Sequence, residues 1–178
     1  MKATGIVRRI DDLGRVVIPK EIRRTMRIRE GDPLEIYTDN NGEVIFKKYS
    51  PIEELSAFAC QYAEVLAKSM GMPVVITDRD HVVAVNGIPK REVLERRVSG
   101  ELEEIMEQRH SYRHSEGETL RPVEGISRNA AVIYPILSSG DVTGSVVLLE
   151  GEGGRQASET ENKAVQIAAD FLGRQMES

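Results

Sequence analysis

Cysteine occurs once in the 178 residues, tryptophan not at all, and aromatic residues make up only 4%. A single thiol, Cys60, excludes an internal disulfide framework and fits a reducing compartment. Set in an apolar helical stretch with no basic neighbour at helical spacing, it reads as buried and inert. No apolar run approaches the roughly 18 residues that a membrane helix needs. The N-terminal string MKATGIVRRIDD has no apolar core and carries acids early, so no export signal is expected. These absences predict a cytoplasmic protein that works without a membrane. Also missing are a GxxxxGK[ST] loop, a GxGxxG turn and a nucleophile elbow, so no enzymatic activity is expected. His110 and His114 stand at i, i+4, but no third ligand accompanies them, so no metal and no cofactor is expected.

What is present is charge, unevenly spread. The net charge is −5. Residues 1–50 hold 11 Lys and Arg against 8 Asp and Glu, or +3, and residues 51–178 hold 13 against 21, or −8. Within residues 1–29 the count is 9 against 3, or +6. A local positive field on an acidic chain points to an anionic partner at one end.

The basic end has a readable pattern. Residues 4–10 alternate loosely and read as a strand. Asp11-Asp12-Leu13-Gly14 is a turn in which the aspartates hold the arginine loop or cap its N–H groups. Residues 15–18 form a short β-branched strand. Pro19 opens a helix to about Met26, with Ile22 and Met26 inward. Residues 34–38 and 43–49 alternate around an Asn41-Gly42 hairpin turn. Four short strands and one short helix bury too little surface to stand alone, and their edges need covering. An obligate dimer is therefore expected.

The string TGIVRRIDDLGRVVIPKEIRRTMRIREGDPLEIY resembles the AbrB-type transition-state regulators, with DLGRVVIPKEIRR the most specific piece. The resemblance implies a swapped-hairpin β-barrel made by an interleaved dimer, which binds double-stranded DNA. It implies duplex contacts from Arg8, Arg15, Arg23 and Arg24, with Arg9, Lys2, Lys20 and Arg27 as secondary contacts. It further implies a nucleoid-associated regulator that activates and represses sporulation genes. Arginine chemistry agrees, because its fixed fork of donors matches phosphates and guanine edges. The scarcity of aromatics among these arginines argues against single-strand stacking, and no helix is long enough for a full helix-turn-helix. Loose sequence preference with readout of DNA shape is expected.

Ser50-Pro51 closes the first domain, 1–50, and opens a second, 51–178. Residues 53–70 read as a helix with Leu55, Phe58, Ala59, Tyr62, Leu66 and Met70 on its inner face. Strands follow at 73–77 and 81–86, helices at 89–98 and 100–110, a short strand near 119–123, and strands at 130–137 and 142–150. Gly144 reads as a bulge or close-approach point. A Ser158-Glu159-Thr160-Glu161 capping box starts a last helix with Val165, Ala168, Phe171, Leu172 and Met176 inward. The order gives an α+β fold with an antiparallel sheet and flanking helices. It resembles a GAF-type sensor domain, best at AVIYPILSSGDVTGSVVLL. That implies an oligomerisation role, extending to a tetramer if helices 53–70 and 158–176 pair across copies. An unidentified small-molecule ligand would lie between the sheet and residues 88–129, near Arg121, Ser127, Arg128 and Asn129. Two other classes fit parts of the pattern. One is an antitoxin-like swapped-hairpin protein, and the other a small-molecule-binding GAF protein whose N-terminal module only dimerises.

Overall fold

The computed structural model describes residues 4–177, and the chain divides into two compact units between Tyr49 and Ser50. In the first unit, α1 (Lys20–Thr25) precedes an antiparallel hairpin of β1 (Leu34–Thr38) and β2 (Val44–Lys48). The Asp39 carboxylate organises the hairpin turn. It accepts the backbone N–H groups of Asn41 and Glu43, while Gly42 takes a φ of 83°. Lys48 ties the hairpin to the segment after the helix, donating to the Arg27 carbonyl at 2.9 Å and facing Asp32 at 3.7 Å.

The strands expected at residues 4–10 and 15–18 do not form in the single chain. A strand exists only where a neighbour takes its backbone bonds, and here the Asp11 N–H to Arg15 carbonyl bond, 3.0 Å, joins the two runs only at their turn. Met26, expected inward, is 58% exposed. Val7, Ile10, Leu13 and Val17 are exposed as well. A single copy of this unit buries little of its own apolar surface.

The second unit is built on a five-stranded antiparallel sheet in the order β4-β3-β7-β6-β5. The strands are β3 (Val74–Asp78), β4 (Val82–Asn86), β5 (Tyr112–Arg113), β6 (Ala130–Ser138) and β7 (Asp141–Leu149). Side chains alternate between the two faces. Val74, Ile76, Val146 and Leu148 join one core with the helices α3 (Ser56–Met70) and α6 (Glu159–Gln175). Val75, Val147 and Leu149 join a second core with Val98, Leu102, Met106 and Val123. Both faces are covered, which explains why the strands read as nearly unbroken apolar runs rather than strict alternation.

Several expected elements shift. The helix expected from residue 53 breaks at Leu55 into α2 (Pro51–Glu54), capped by the Ser50 side chain, and α3. Ile52 on α2 is completely buried, and a side chain of that kind contributes about 1.5–3 kcal/mol by leaving water. The inner face of α3 is rotated toward its small residues. Ala59, Ala63 and Ala67 are buried with Leu66 and Met70, whereas Phe58 and Tyr62 lie at the margin. Small side chains let the helix backbone approach the sheet, and the rings cannot follow. Cys60 is half-buried rather than sealed in the core.

The helix expected at 89–98 is a single turn, α4 (Lys90–Val93), because Leu94 is extended and Glu95 has a φ of 63°. Near 119–123 only an isolated bridge, Val98 to Val123, forms. α5 (Gly100–Gln108) forms as expected, capped by Ser99. The Ser158–Glu161 capping box is present on α6. Phe171, expected inward on that helix, is 41% exposed, and Gly173 packs its Cα against the Leu137 carbonyl instead. No described helix is long and apolar enough to cross a membrane.

Candidate nucleic-acid interface

The basic residues of the first unit hang on two local devices. The first is the turn at residues 11–15. The Asp11 carboxylate accepts the N–H of Leu13 at 3.0 Å and that of Arg15 at 2.8 Å. Its other oxygen takes the Arg15 Nε, also at 2.8 Å. The Gly14 N–H returns to the Asp11 carbonyl, with Gly14 at a φ of 76° that a side chain would strain. The N–H of Arg15, with those of Leu13 and the Arg15 Nε, holds the Asp11 carboxyl below the ordinary carboxylate range. Asp12, its neighbour, makes no hydrogen bond or ion pair among the described residues.

The second device is α1. Pro19 stands as its N-cap, is buried, and has a φ of −57° that suits helix entry. The helix buries none of its own residues and carries Arg23 and Arg24 in its last turn, where a cation also complements the helix dipole. Arg23 folds back, and its Nε donates to the Ile18 carbonyl at 3.2 Å. That bond links the helix to the run that begins at Arg15.

Arg8, Arg9, Arg15, Lys20, Arg23 and Arg24 are all exposed. Among the described residues, Arg8 makes only a local 3.3 Å bond to the Val7 carbonyl. Arg27 differs. It is half-buried, with a φ of 51°, and its carbonyl is taken by Lys48. Lys2 lies outside the described residues. Reading by charge did not single out the Ile18 carbonyl or the Nε-specific hold of Asp11. Only the aspartate four residues before an arginine across a glycine turn could have signalled the second.

The second unit has an open cavity of about 370 Å³ lined by Ser99, Glu101, Arg121 and residues 123–127. Of the four polar residues singled out for a ligand, Arg121 and Ser127 line it. Arg128 and Asn129 do not; Asn129 donates to Glu150 instead, at 3.2 Å. His110 is exposed and His114 half-buried, and no described residues form a group of three or more side chains fit to hold a metal.

Comparison with known proteins adds to this geometry. The family described as Stage V sporulation protein T C-terminal, transcription factor, matches residues 54–177. The family described as Antidote-toxin recognition MazE, bacterial antitoxin, matches residues 7–54. The chain is 54% identical over 179 residues to stage V sporulation protein T of Bacillus subtilis (strain 168), covering 99% of each. It is 63% identical over 51 residues to the transition state regulatory protein AbrB of the same organism, covering 29% of this chain and 52% of that one. Among solved structures, the GAF domain of Thermosynechococcus elongatus PixJ in its blue-light absorbing form overlays with a TM-score of 0.55 at 15% identity. That overlay covers 73% of this chain and 89% of the other, and at such identity it speaks for the fold alone.

Proposed function

The chain belongs to the stage V sporulation protein T family, and from that premise we propose that it is a DNA-binding transcription regulator of sporulation that grips duplex DNA with the arginines of its first unit. The observation that carries this is the set of exposed arginines on two ordered devices, the 11–15 turn and α1, within the stretch 63% identical to a transition state regulator. Arg8, Arg15, Arg23 and Arg24 are the primary contacts, with Arg9, Lys2 and Lys20 secondary. Arg27 is the weakest member, since it is half-buried.

The working form is a homodimer. Two features support this. Residues 4–10 and 15–18 lack strand partners among the described residues, and Val7, Ile10, Leu13 and Val17 stay exposed. A second copy supplies both the missing backbone partners and the apolar cover. In the second unit, Phe58, Tyr62 and Phe171 form an aromatic cluster with centroids 5.8–6.1 Å apart. Val65 and Ile167 stand exposed on the same two helices. That face supports a further pairing to a tetramer. The boundary between DNA-gripping and sensing parts falls at residues 50–51, and the protein acts at the nucleoid as a binding protein rather than an enzyme.

The test is duplex DNA binding by the full-length chain before and after Arg23→Ala with Arg24→Ala. If about six phosphates are neutralised, log affinity falls with log salt at a slope near −5, and the double substitution lowers both affinity and slope. Unchanged values for both would end the DNA assignment.

The match of residues 7–54 to an antitoxin family favours one rival, an antitoxin that clasps a toxin. Against it stands the folded second unit, which matches a transcription factor family over residues 54–177. A toxin that co-purifies stoichiometrically with the native protein would revive it.

A further inference from the structure

An aspartate among the arginines of a DNA-binding stretch is an electrostatic liability, because it repels the phosphates that the arginines attract. Asp11 is such a residue. Its carboxylate is nevertheless engaged on both oxygens by the chain, with two backbone N–H groups on one and the Arg15 Nε on the other. Arginine has five N–H donors, one on Nε and four on the two Nη atoms. Asp11 takes the single inner donor and leaves both Nη atoms free of any described protein group. Arg23 is treated in the same way, with the Ile18 carbonyl on its Nε and no described protein group on its Nη atoms. In both cases the chain holds the guanidinium by its inner edge and presents the outer edge, the one that forms paired bonds to a phosphate or to guanine O6 and N7.

We propose that Asp11 is a positioning residue for DNA recognition, which fixes the Arg15 guanidinium by Nε and so presents its two Nη atoms, already ordered, to the duplex. This rests on the DNA-binding reading above. A long flexible side chain loses rotamer freedom when it binds, and holding it in place beforehand removes part of that cost. Asp12 carries the same charge one residue away and holds no group among the described residues. It is the built-in comparison.

The two accounts of Asp11 differ in sign. If only charge matters, Asp11→Asn removes a repulsion and tightens DNA binding, as Asp12→Asn does. If Asp11 positions Arg15, Asp11→Asn weakens binding although the protein becomes more positive. Asparagine keeps an oxygen for the N–H groups of Leu13 and Arg15, so the turn survives, but its amide cannot accept from the Arg15 Nε. Asp11→Glu keeps the charge and displaces the carboxylate by one methylene, so charge alone predicts no change and positioning predicts a loss.

The experiment measures dissociation constants of the full-length variants for one duplex by fluorescence anisotropy, at two salt concentrations. The expected result is a roughly threefold to tenfold weakening for Asp11→Asn and for Asp11→Glu, the range that an exposed ion pair supports when it acts in both chains of a dimer. Asp12→Asn is expected to bind as tightly as the parent or more tightly. Asp11→Asn added to Arg15→Ala is expected to cost nothing more, because the aspartate acts through that arginine. Asp11→Asn binding as tightly as the parent, or a further loss on the Arg15→Ala background, overturns the positioning role and leaves the DNA assignment intact. Absence of duplex binding by the parent chain overturns both.

Discussion

The carbonyl oxygen of Thr77 occupies the space that a Cβ on Gly144 would need. Gly144 lies on β7 opposite Asp78, next to the buried pair in which the Thr77 and Ser145 hydroxyls share a 2.7 Å hydrogen bond. The crowding is against backbone, which cannot swing aside as a side chain can. Gly144→Ala is therefore expected to destabilise the protein by about 1–3 kcal/mol, or more if the strands must part. Gly100, the first residue of α5, has open space around it, so Gly100→Ala is expected to be neutral or stabilising by under about 1 kcal/mol. Urea melts of the two variants check the contrast.

The arginines of the first unit should differ in kind as well as in strength. Arg8 is exposed with one weak local bond, so its contribution is that of a phosphate contact. In a dimer, Arg8→Ala is expected to shallow the salt slope by about 1.8, two contacts at about 0.9 each. Arg27→Ala is expected to change unfolding more than the slope, since that residue is half-buried. Titrations of one duplex at several salt concentrations separate the two behaviours.

Glu161 gives a pH prediction. Burial raises its pKa, but hydrogen bonds from the Arg155 guanidinium and from the backbone and hydroxyl of Ser158 outweigh this and hold it below the ordinary value. A carboxyl whose folded pKa is depressed stabilises the fold above its unfolded value, near 4.3, and that stability drains away as pH falls through the folded value. At pH 7, Glu161→Gln is expected to cost about 1–2 kcal/mol, from the charged hydrogen bonds and the reciprocal cap. Below about pH 4 the gap between parent and variant should narrow. Denaturant melts at pH 7 and pH 3.5 read this directly, and a gap independent of pH would show that the charge is not what matters.

The face carrying Val65, Ile167 and Phe171 is exposed, so polar substitutions there should spare the fold and change the assembly. Val65→Asp with Ile167→Asp is expected to reduce the mass in solution by half at micromolar concentration while leaving the melting curve of the second unit within about 1 kcal/mol. Light scattering after size-exclusion chromatography gives the mass. An unchanged mass would remove this face from the assembly.

The legible parts of the sequence were those where local chemistry leaves few choices. The proline-opened helix carrying Arg23 and Arg24, the Asn41-Gly42 hairpin, the Ser158–Glu161 cap and the close approach at Gly144 all depend on neighbours along the chain or on one backbone constraint. The illegible parts were those where the deciding group comes from elsewhere. The side of α3 that meets the sheet depends on how near the sheet comes, which selects Ala59, Ala63 and Ala67 over Phe58 and Tyr62. Residues 4–10 and 15–18 read as strands by composition, yet a single chain offers them no ladder.

The basic stretch itself divides along the same line. Sequence alone determined that positive charge gathers in residues 1–29, that a turn separates its two runs, and that Pro19 opens a helix, because composition, glycine and proline act locally. Only the three-dimensional structure decided which edge of Arg15 and of Arg23 is left for a partner. The hold on the Arg15 and Arg23 Nε atoms is a matter of bond direction and distance. A hydrogen bond has direction and a charge count does not.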